Sequence, residues 1–293
     1  MHWQTTRFSI DLTTPQIMGI VNVTPDSFSD GGQHAGTAQA MRHAEQLLAD
    51  GAHLLDLGAE STRPGARPVP LATELARLLP VLKLALGIGV PVSVDTYKPA
   101  VMRAALDMGA DIVNDIWALR QPATADCPSA AEVVAQHRGC GVCLMHMHRD
   151  PVTMQATPMA GDVWPEVIQF LKQRIEYIQA MGVEKNQILL DPGVGFGKTP
   201  TQNLQLLAGQ EALLALGHPL LVGWSRKSTL GVVVGDGGPQ ADPSTVAHSR
   251  LVPSVVAALL AVQRGASVVR VHDVRETAQA LRLWQAVGAV SPP

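Results

Sequence analysis

Short apolar runs and longer stretches with helical spacing alternate along the whole chain. Aliphatic runs at 17–22, 53–57, 91–95, 112–115, 142–147, 188–191, 219–223 and 268–272 predict strands. Ala-, Leu- and Gln-rich stretches at 38–49, 72–86, 99–108, 130–138, 162–181, 201–215, 245–264 and 274–287 predict helices between them. A shorter helix is expected near Ser225. Eight strand-helix alternations argue for a parallel sheet, and eight is the count that closes a (β/α)8 TIM barrel. A doubly wound sheet is the alternative. The punctuation agrees. Gly51, Gly109, Gly139, Gly182 and Gly265 each follow a helical stretch, as a C-terminal cap would. Pro99 stands at a first helical turn, where a missing N–H costs little. Residues 121–129 and 234–244 read as loops. The expected organisation is a single α/β barrel domain over 17–290, a short N-terminal extension over 1–16 forming a hairpin at the barrel bottom, and a frayed tail at 291–293.

Polar residues gather where the strands end. Strand 1 runs into Asn22 and the segment to Gly32, and strand 2 into Thr62 and Arg63. The later strands end at Asp95, at Asn114 and Asp115, at Met145 to His148, at Asp191 to Lys198, at Gly223 to Ser228, and at Arg270 to Asp273. In a barrel of this kind, that end carries the active site. A single Asp at a strand end is as readily a cap, and Asp56, Asp115 and Asp273 are read as structural. The joint pattern of two carboxylates, an amide, a Lys, two Arg and a His on one rim calls for a ligand, because buried charge needs a partner.

Composition narrows the possibilities. The chain has 293 residues, 46% hydrophobic and 16% charged, with only 5 Trp, 2 Tyr and 4 Phe, so the core must be mainly aliphatic. Net charge is −3 and no basic tract is present, so nucleic acid is not an expected partner. Met1 to Leu12 shows no signal-peptide pattern, and the apolar run Val255–Val262 is too short to span a membrane. A cytoplasmic protein is expected. Cys140-Gly-Val-Cys143 with His146 and His148 nearby has the outline of a zinc motif. Strand alternation, however, sends Cys143 and His146 to opposite faces, whereas zinc needs converging ligands. Buried thiols are the expectation.

The rim residues permit a definite chemistry. Asp95, Asp191 and Asn114 offer acceptors and a donor suited to a flat heterocycle with an amidine-like edge. Arg63, Arg270 and His272 supply cationic donors for phosphate or pyrophosphate. Asn22 offers an oxygen to Mg2+, an ion that otherwise leans on water and substrate phosphate. Ser228 stands near a helix start, where an anion is favoured. Gly197-Lys198-Thr199 imitates the end of a phosphate loop, but Pro192 stands where its leading glycine should be. Met145 could simply fill the barrel, and Arg226 could be a helix-end or dimer charge as well as a ligand contact. His146 and His148 receive no role, and Lys198 and His218 are expected to be solvated.

The segments MGIVNVTPDSFSDGG, DLGAESTRPGA, SVDTYKP, DIVNDI, LMHM, ILLDPGVGFGKT, SRKS and VRVHDV, in that order over 18–274, closely resemble the dihydropteroate synthase family of folate biosynthesis, the target of sulfonamides. The resemblance implies a (β/α)8 barrel, usually a homodimer, and a Mg2+-dependent transferase forming a C–N bond. Its substrates would be 6-hydroxymethyl-7,8-dihydropterin pyrophosphate and p-aminobenzoate, its products dihydropteroate and pyrophosphate. It assigns Asp95, Asn114, Met145, Asp191, Phe196, Gly223 and Lys227 to the pterin. Asn22, Arg63, Arg270 and His272 go to pyrophosphate, with Asn22 also at the metal. Phe28, Thr62, Arg63, Pro64 and Ser228 go to p-aminobenzoate. Asp95, Asp191, Lys227, Arg63, Arg270 and His272 carry the catalysis.

Two other readings have been weighed, a pterin-binding methyltransferase domain and a non-catalytic pterin-binding paralogue. Either should lack parts of the first two rim segments, and both segments are complete here. Three features depart from the common pattern. Trp224 is expected to reshape the rim near Ser228, residues 235–244 to form a mobile connection, and the last long helix but one to start or bend at Pro253.

Overall fold

The computed structural model describes residues 1–23, 32–61, 66–154 and 156–289. Eight parallel strands close a barrel: β3 (Gln16–Asn22), β4 (Leu54–Gly58), β5 (Val92–Asp95), β6 (Ile112–Asp115), β7 (Gly141–Met145), β8 (Ile188–Asp191), β9 (Leu220–Val222) and β10 (Ala266–Val271). β10 pairs with β3 in the register Arg270 to Met18, which completes the ring and excludes a doubly wound sheet. Helices α1 (Gly32–Asp50), α2 (Leu71–Ala85), α3 (Pro99–Asp107), α4 (Ala130–Gln136), α5 (Trp164–Ala180) and α6 (Pro200–Ala208) follow the first six barrel strands. α7 (Ser228–Val234), α8 (Pro243–Ser249) and α9 (Leu251–Gln263) follow β9, and α10 (Val274–Gly288) closes the chain. All five cap glycines adopt positive φ.

The period-2 alternation of each strand divides its side chains between two cores. Outward residues such as Val21, Leu55, Leu57, Val94, Val113, Leu144 and Leu190 pack under the helices. Inward residues Met18, Leu54, Ile112, Cys143, Leu189, Leu221 and Val268 form one apolar layer inside the barrel. That layer is sealed from below by a hairpin of β1 (His2–Gln4) and β2 (Ser9–Asp11), whose Trp3, Ile10 and Leu12 join it. Trp3 is fully buried and its indole N–H donates to the Gln187 carbonyl at 2.9 Å. One step further along the strands, Asp56, Asn114, Asp191 and Arg270 take inward positions.

Several expectations are corrected. The helix expected over 245–264 is two helices, α8 and α9, broken at Arg250. The Arg250 side chain, 4% exposed, turns inward to Asp236 at 2.6 and 3.1 Å and to the Gly238 carbonyl at 2.6 Å. The same pair pins the connection expected to be mobile. A side chain on Gly231 could not fit there, because its Cβ would lie 2.1 Å from Asp236 Oδ1. α9 begins two residues before Pro253, so the proline lies in the first turn of a newly started helix, as expected. The helix expected over 201–215 ends at Ala208 and continues as a 3-10 turn over Gln210–Leu216, with Gly209 closely packed on the Trp164 ring. Trp224 does not shape the rim. It is 2% exposed on the outer face of the barrel, packed with Val194, Leu207, Leu230 and Ala257.

Candidate active site

Strand register brings the rim residues together. Asn22 lies beside Gly58, Gly58 beside Asp95, Asp95 beside Asn114, and Met145 beside Asp191. At the centre stands Asp56, fully buried in the middle of β4. Its Oδ2 accepts from Arg270 Nε at 2.5 Å and from Asn114 Nδ2 at 3.2 Å. Arg270 Nη2 reaches on to Asp95 Oδ2 at 2.7 Å. Asp56, read from the sequence as structural, is therefore the hub of the cluster. The missed signal is parity: Asp56 shares its face of β4 with Leu54 and Gly58, and that face points into the barrel.

Charge is balanced only in part. Burial first, and the nearby Asp56 and Asp115 next, push Asp95 up to about 7, although Arg270 opposes the shift. Burial opposes the charge on Arg270, but Asp56 and Asp95 hold it above its ordinary value. Burial also raises Asp191, against the Gly193 N–H it accepts at 2.7 Å and the charges of Lys227, Lys198 and Arg270. Asp56 Oδ1 and Asp95 Oδ1 are shielded from solvent and have no hydrogen-bond partner. Unsatisfied buried acceptors on this scale are rare and invite a ligand rich in N–H donors.

The wall opposite is aromatic and sulfur-rich. Phe196 packs with Met145, Met147, Met154 and Ile116. Lys227 Nζ lies 4.4 Å from the Phe196 ring centroid, a cation–π arrangement. Met145 thus lines the cluster, and it does more than fill the barrel floor, which Cys143 beneath it does. Gly195, at φ +81°, leaves room for Lys227, whose Cδ would lie 3.2 Å from a Cβ there. Gly223 borders Arg270 across the β9–β10 pair.

Other expected residues sit higher on the rim. Ser225 Oγ lies 2.9 Å from His272 Nδ1 and accepts from the His272 backbone N–H at 3.1 Å, which fixes the end of β10. Ser228 opens α7 directly after Lys227, and Asn22 is exposed at the end of β3. Phe28, Thr62, Arg63 and Pro64 lie outside the described residues, as does the tail 291–293. A cavity of about 210 Å3 is lined by Glu60, Ser61, Ala66, Tyr97, Trp117 and Val152.

Some residues leave the site. Arg226 pairs with Asp273 at 2.5 and 3.1 Å, a helix-end charge. Asp115 accepts from the N–H groups of Trp117 and Leu119 and holds a turn in which Ala118 and Leu119 have positive φ. His218 is buried, not solvated, near the Ile188 carbonyl below the barrel strands. Lys198 is also buried, contrary to expectation, and His146 is 1% exposed on the opposite face of the strand from Cys143. Among the described residues no group of three or more His, Cys, Asp or Glu could hold a metal, and no helix is long and apolar enough to cross a membrane.

A (β/α)8 barrel with such a rim is a class of small-molecule enzyme, and comparison with known proteins places it more closely. The sequence profile of the pterin binding enzyme family matches residues 18–272. Dihydropteroate synthase of Neisseria meningitidis serogroup C is 48% identical over 289 residues, covering 98% of this chain and 97% of that protein. The structure of Xanthomonas albilineans dihydropteroate synthase with 4-aminobenzoic acid has a TM-score of 0.84 at 46% identity, covering 97% and 96% of the two chains. That of the Burkholderia cenocepacia dihydropteroate synthase complexed with 7,8-dihydropteroate has a TM-score of 0.84 at 44% identity, covering 98% and 96%. The chain belongs to the pterin-binding enzyme family, and within it to the dihydropteroate synthases.

Proposed function

We propose that this barrel joins 6-hydroxymethyl-7,8-dihydropterin pyrophosphate to p-aminobenzoate by a dissociative displacement. The observation that carries the reading is the pair of unsatisfied acceptors, Asp56 Oδ1 and Asp95 Oδ1, beside Asn114 in one buried wall. The amino-pyrimidine edge of a pterin presents donors to such a wall. Asp191 and Lys227 hold the far edge of the ring, and Met145 and Phe196 its faces.

The C–O bond to pyrophosphate breaks with its electron pair leaving on oxygen, and the methylene cation that remains is delocalised into the ring. Asp95 and Asp191 stabilise that positive charge. Arg270, His272 and Arg63 face the oxygens where negative charge collects. The arylamine nitrogen then donates its lone pair to carbon and loses a proton. No protein nucleophile enters, so positioning of two substrates supplies much of the acceleration. Phe28, Thr62, Arg63, Pro64 and Ser228 form the p-aminobenzoate side.

Mg2+ fits this arrangement in one manner. The exposed Asn22 side chain at the rim offers a single oxygen, and Mg2+ ordinarily completes its shell with water and substrate phosphate. Bound there, it would neutralise charge on the pyrophosphate. The proposed assembly is a homodimer through the late helices, supported by exposed Val232, Val233, Val252 and Val256 on α7 and α9. The proposed location is the cytoplasm. Purified protein with both substrates and Mg2+ should yield dihydropteroate by chromatography. Active protein that loses no turnover on Asp191→Ala would overturn the ring assignment.

A further inference from the structure

Lys198 is 2% exposed, and nothing in the proposed chemistry uses it. Its Nζ lies 2.9 Å from the Gly193 carbonyl, 3.2 Å from the Phe196 carbonyl and 2.9 Å from His146 Nδ1, with the His146 carbonyl at 3.4 Å. An ammonium has three donors and no acceptor, and these acceptors can engage it; burial pushes Lys198 down to about 7, with Asp191 and Glu166 opposing the shift. For Nδ1 to accept, the His146 proton must sit on Nε2, which faces Glu166 at 3.7 Å. Burial, and then the charge of Lys198, push His146 down to about 2, so the imidazole stays neutral. The surrounding backbone is tightly fitted. A Cβ on Gly193 would lie 1.8 Å from the His146 carbonyl oxygen, and one on Gly197 would lie 2.7 Å from His148 Cβ.

The contacts join two strand ends. His146 follows β7, and Gly193 and Phe196 belong to the turn after β8. That turn donates the Gly193 N–H to Asp191 and presents Phe196 to Lys227. We infer that Lys198 is a positioning residue: its ammonium stitches the 193–197 turn to the end of β7 and so fixes Asp191 and Phe196 against the pterin. This rests on the synthase reading above. It predicts an effect confined to one substrate, because the contacts of Lys198 lie on residues 146, 193 and 196 and, among the described residues, do not include Ser228.

The test is steady-state kinetics with each substrate varied at saturating levels of the other. Lys198→Met keeps most of the volume and removes the donors. It should raise KM for the pterin pyrophosphate at least about tenfold, since a 1 Å misplacement can cost about a hundredfold. KM for p-aminobenzoate should move less than about twofold. Parallel changes in both constants, or no change in either, would overturn the inference. If Lys198→Met does not fold, His146→Leu and His146→Asn address the same contact. Asn places an acceptor near the former Nδ1 and should preserve the pterin KM, while Leu should raise it. Equal behaviour of the two overturns the inference. Wild-type protein that makes no dihydropteroate would instead remove the reading on which the inference stands.

Discussion

Asp56→Asn changes the charge at the hub of the site and almost none of its volume. Asp56 is fully buried, pairs with Arg270 at 2.5 Å and accepts from Asn114 at 3.2 Å. Removing one partner of a buried ion pair costs about 3–5 kcal/mol. Arg270 keeps Asp95 at 2.7 Å, and the new amide can still accept through its oxygen. The cost should therefore fall at the low end, about 3 kcal/mol. Binding should suffer separately. A hydrogen bond to a charged acceptor contributes about 1.5–3 kcal/mol, so the pterin pyrophosphate should bind roughly ten- to a hundredfold more weakly. The pH profile should move as well. Asp56 is one of the charges that lift Asp95 to about 7. In the wild type, Asp95 is protonated below that pH, and its carboxylate becomes available to a ring N–H as pH rises. Without Asp56, Asp95 ionises at lower pH, and the acid limb of pterin binding shifts downward. Calorimetry across pH reads the affinity and the limb, and urea melts read stability. A variant that loses stability but binds within threefold of the wild type, with an unmoved limb, would show Asp56 to be a prop for Arg270 alone.

Trp3→Ala should cost about 3–5 kcal/mol in urea melts while leaving both KM values unchanged, because the residue seals the apolar layer far from the rim; a shifted KM would refute that separation. Asp236 is held down at about 2, chiefly by its hydrogen bond from Arg250. Its contribution is present above the ordinary carboxylate value and is lost as pH falls from about 4 through about 2. Amide protection factors over 235–250, corrected for intrinsic exchange, should therefore fall in that window, and Asp236→Ala should abolish that pH dependence. Sulfonamides should compete with p-aminobenzoate and not with the pterin; non-competitive inhibition would count against Ser228 on the arylamine side.

Much of this was legible in the sequence because Asn22, Asp95, Asn114, Asp191 and Arg270 each stand at or next to the end of a strand. The strands expected at 112–115 and 188–191 coincide with β6 and β8, since their apolar runs are short and flanked by polar residues, Asp111 and Asn114 in one and Gln187 and Asp191 in the other. What escaped was set by long-range contacts. Asp56 looked like a cap within Leu54 to Gly58 until its inward face and its partner Arg270, 214 residues away, were known. Lys198 resembled a loop lysine because its acceptors on His146 are 52 residues distant. The break at Arg250 falls just before Pro253, whose missing N–H leaves the Ser249 carbonyl without a helical partner, and the Asp236 carboxylate draws the Arg250 side chain inward.

The hairpin beneath the barrel has a kinetic consequence. With Trp3, Ile10 and Leu12 seated under the apolar layer, the bottom of the barrel is closed among the described residues, and the rim is the side left for entry. Whatever lodges at the bottom must arrive first, and whatever settles nearer the opening corks it. On the proposed assignment of the bicyclic substrate to Asp95 and Asp191 and of the arylamine to the rim, the bicyclic partner is expected to bind before the arylamine.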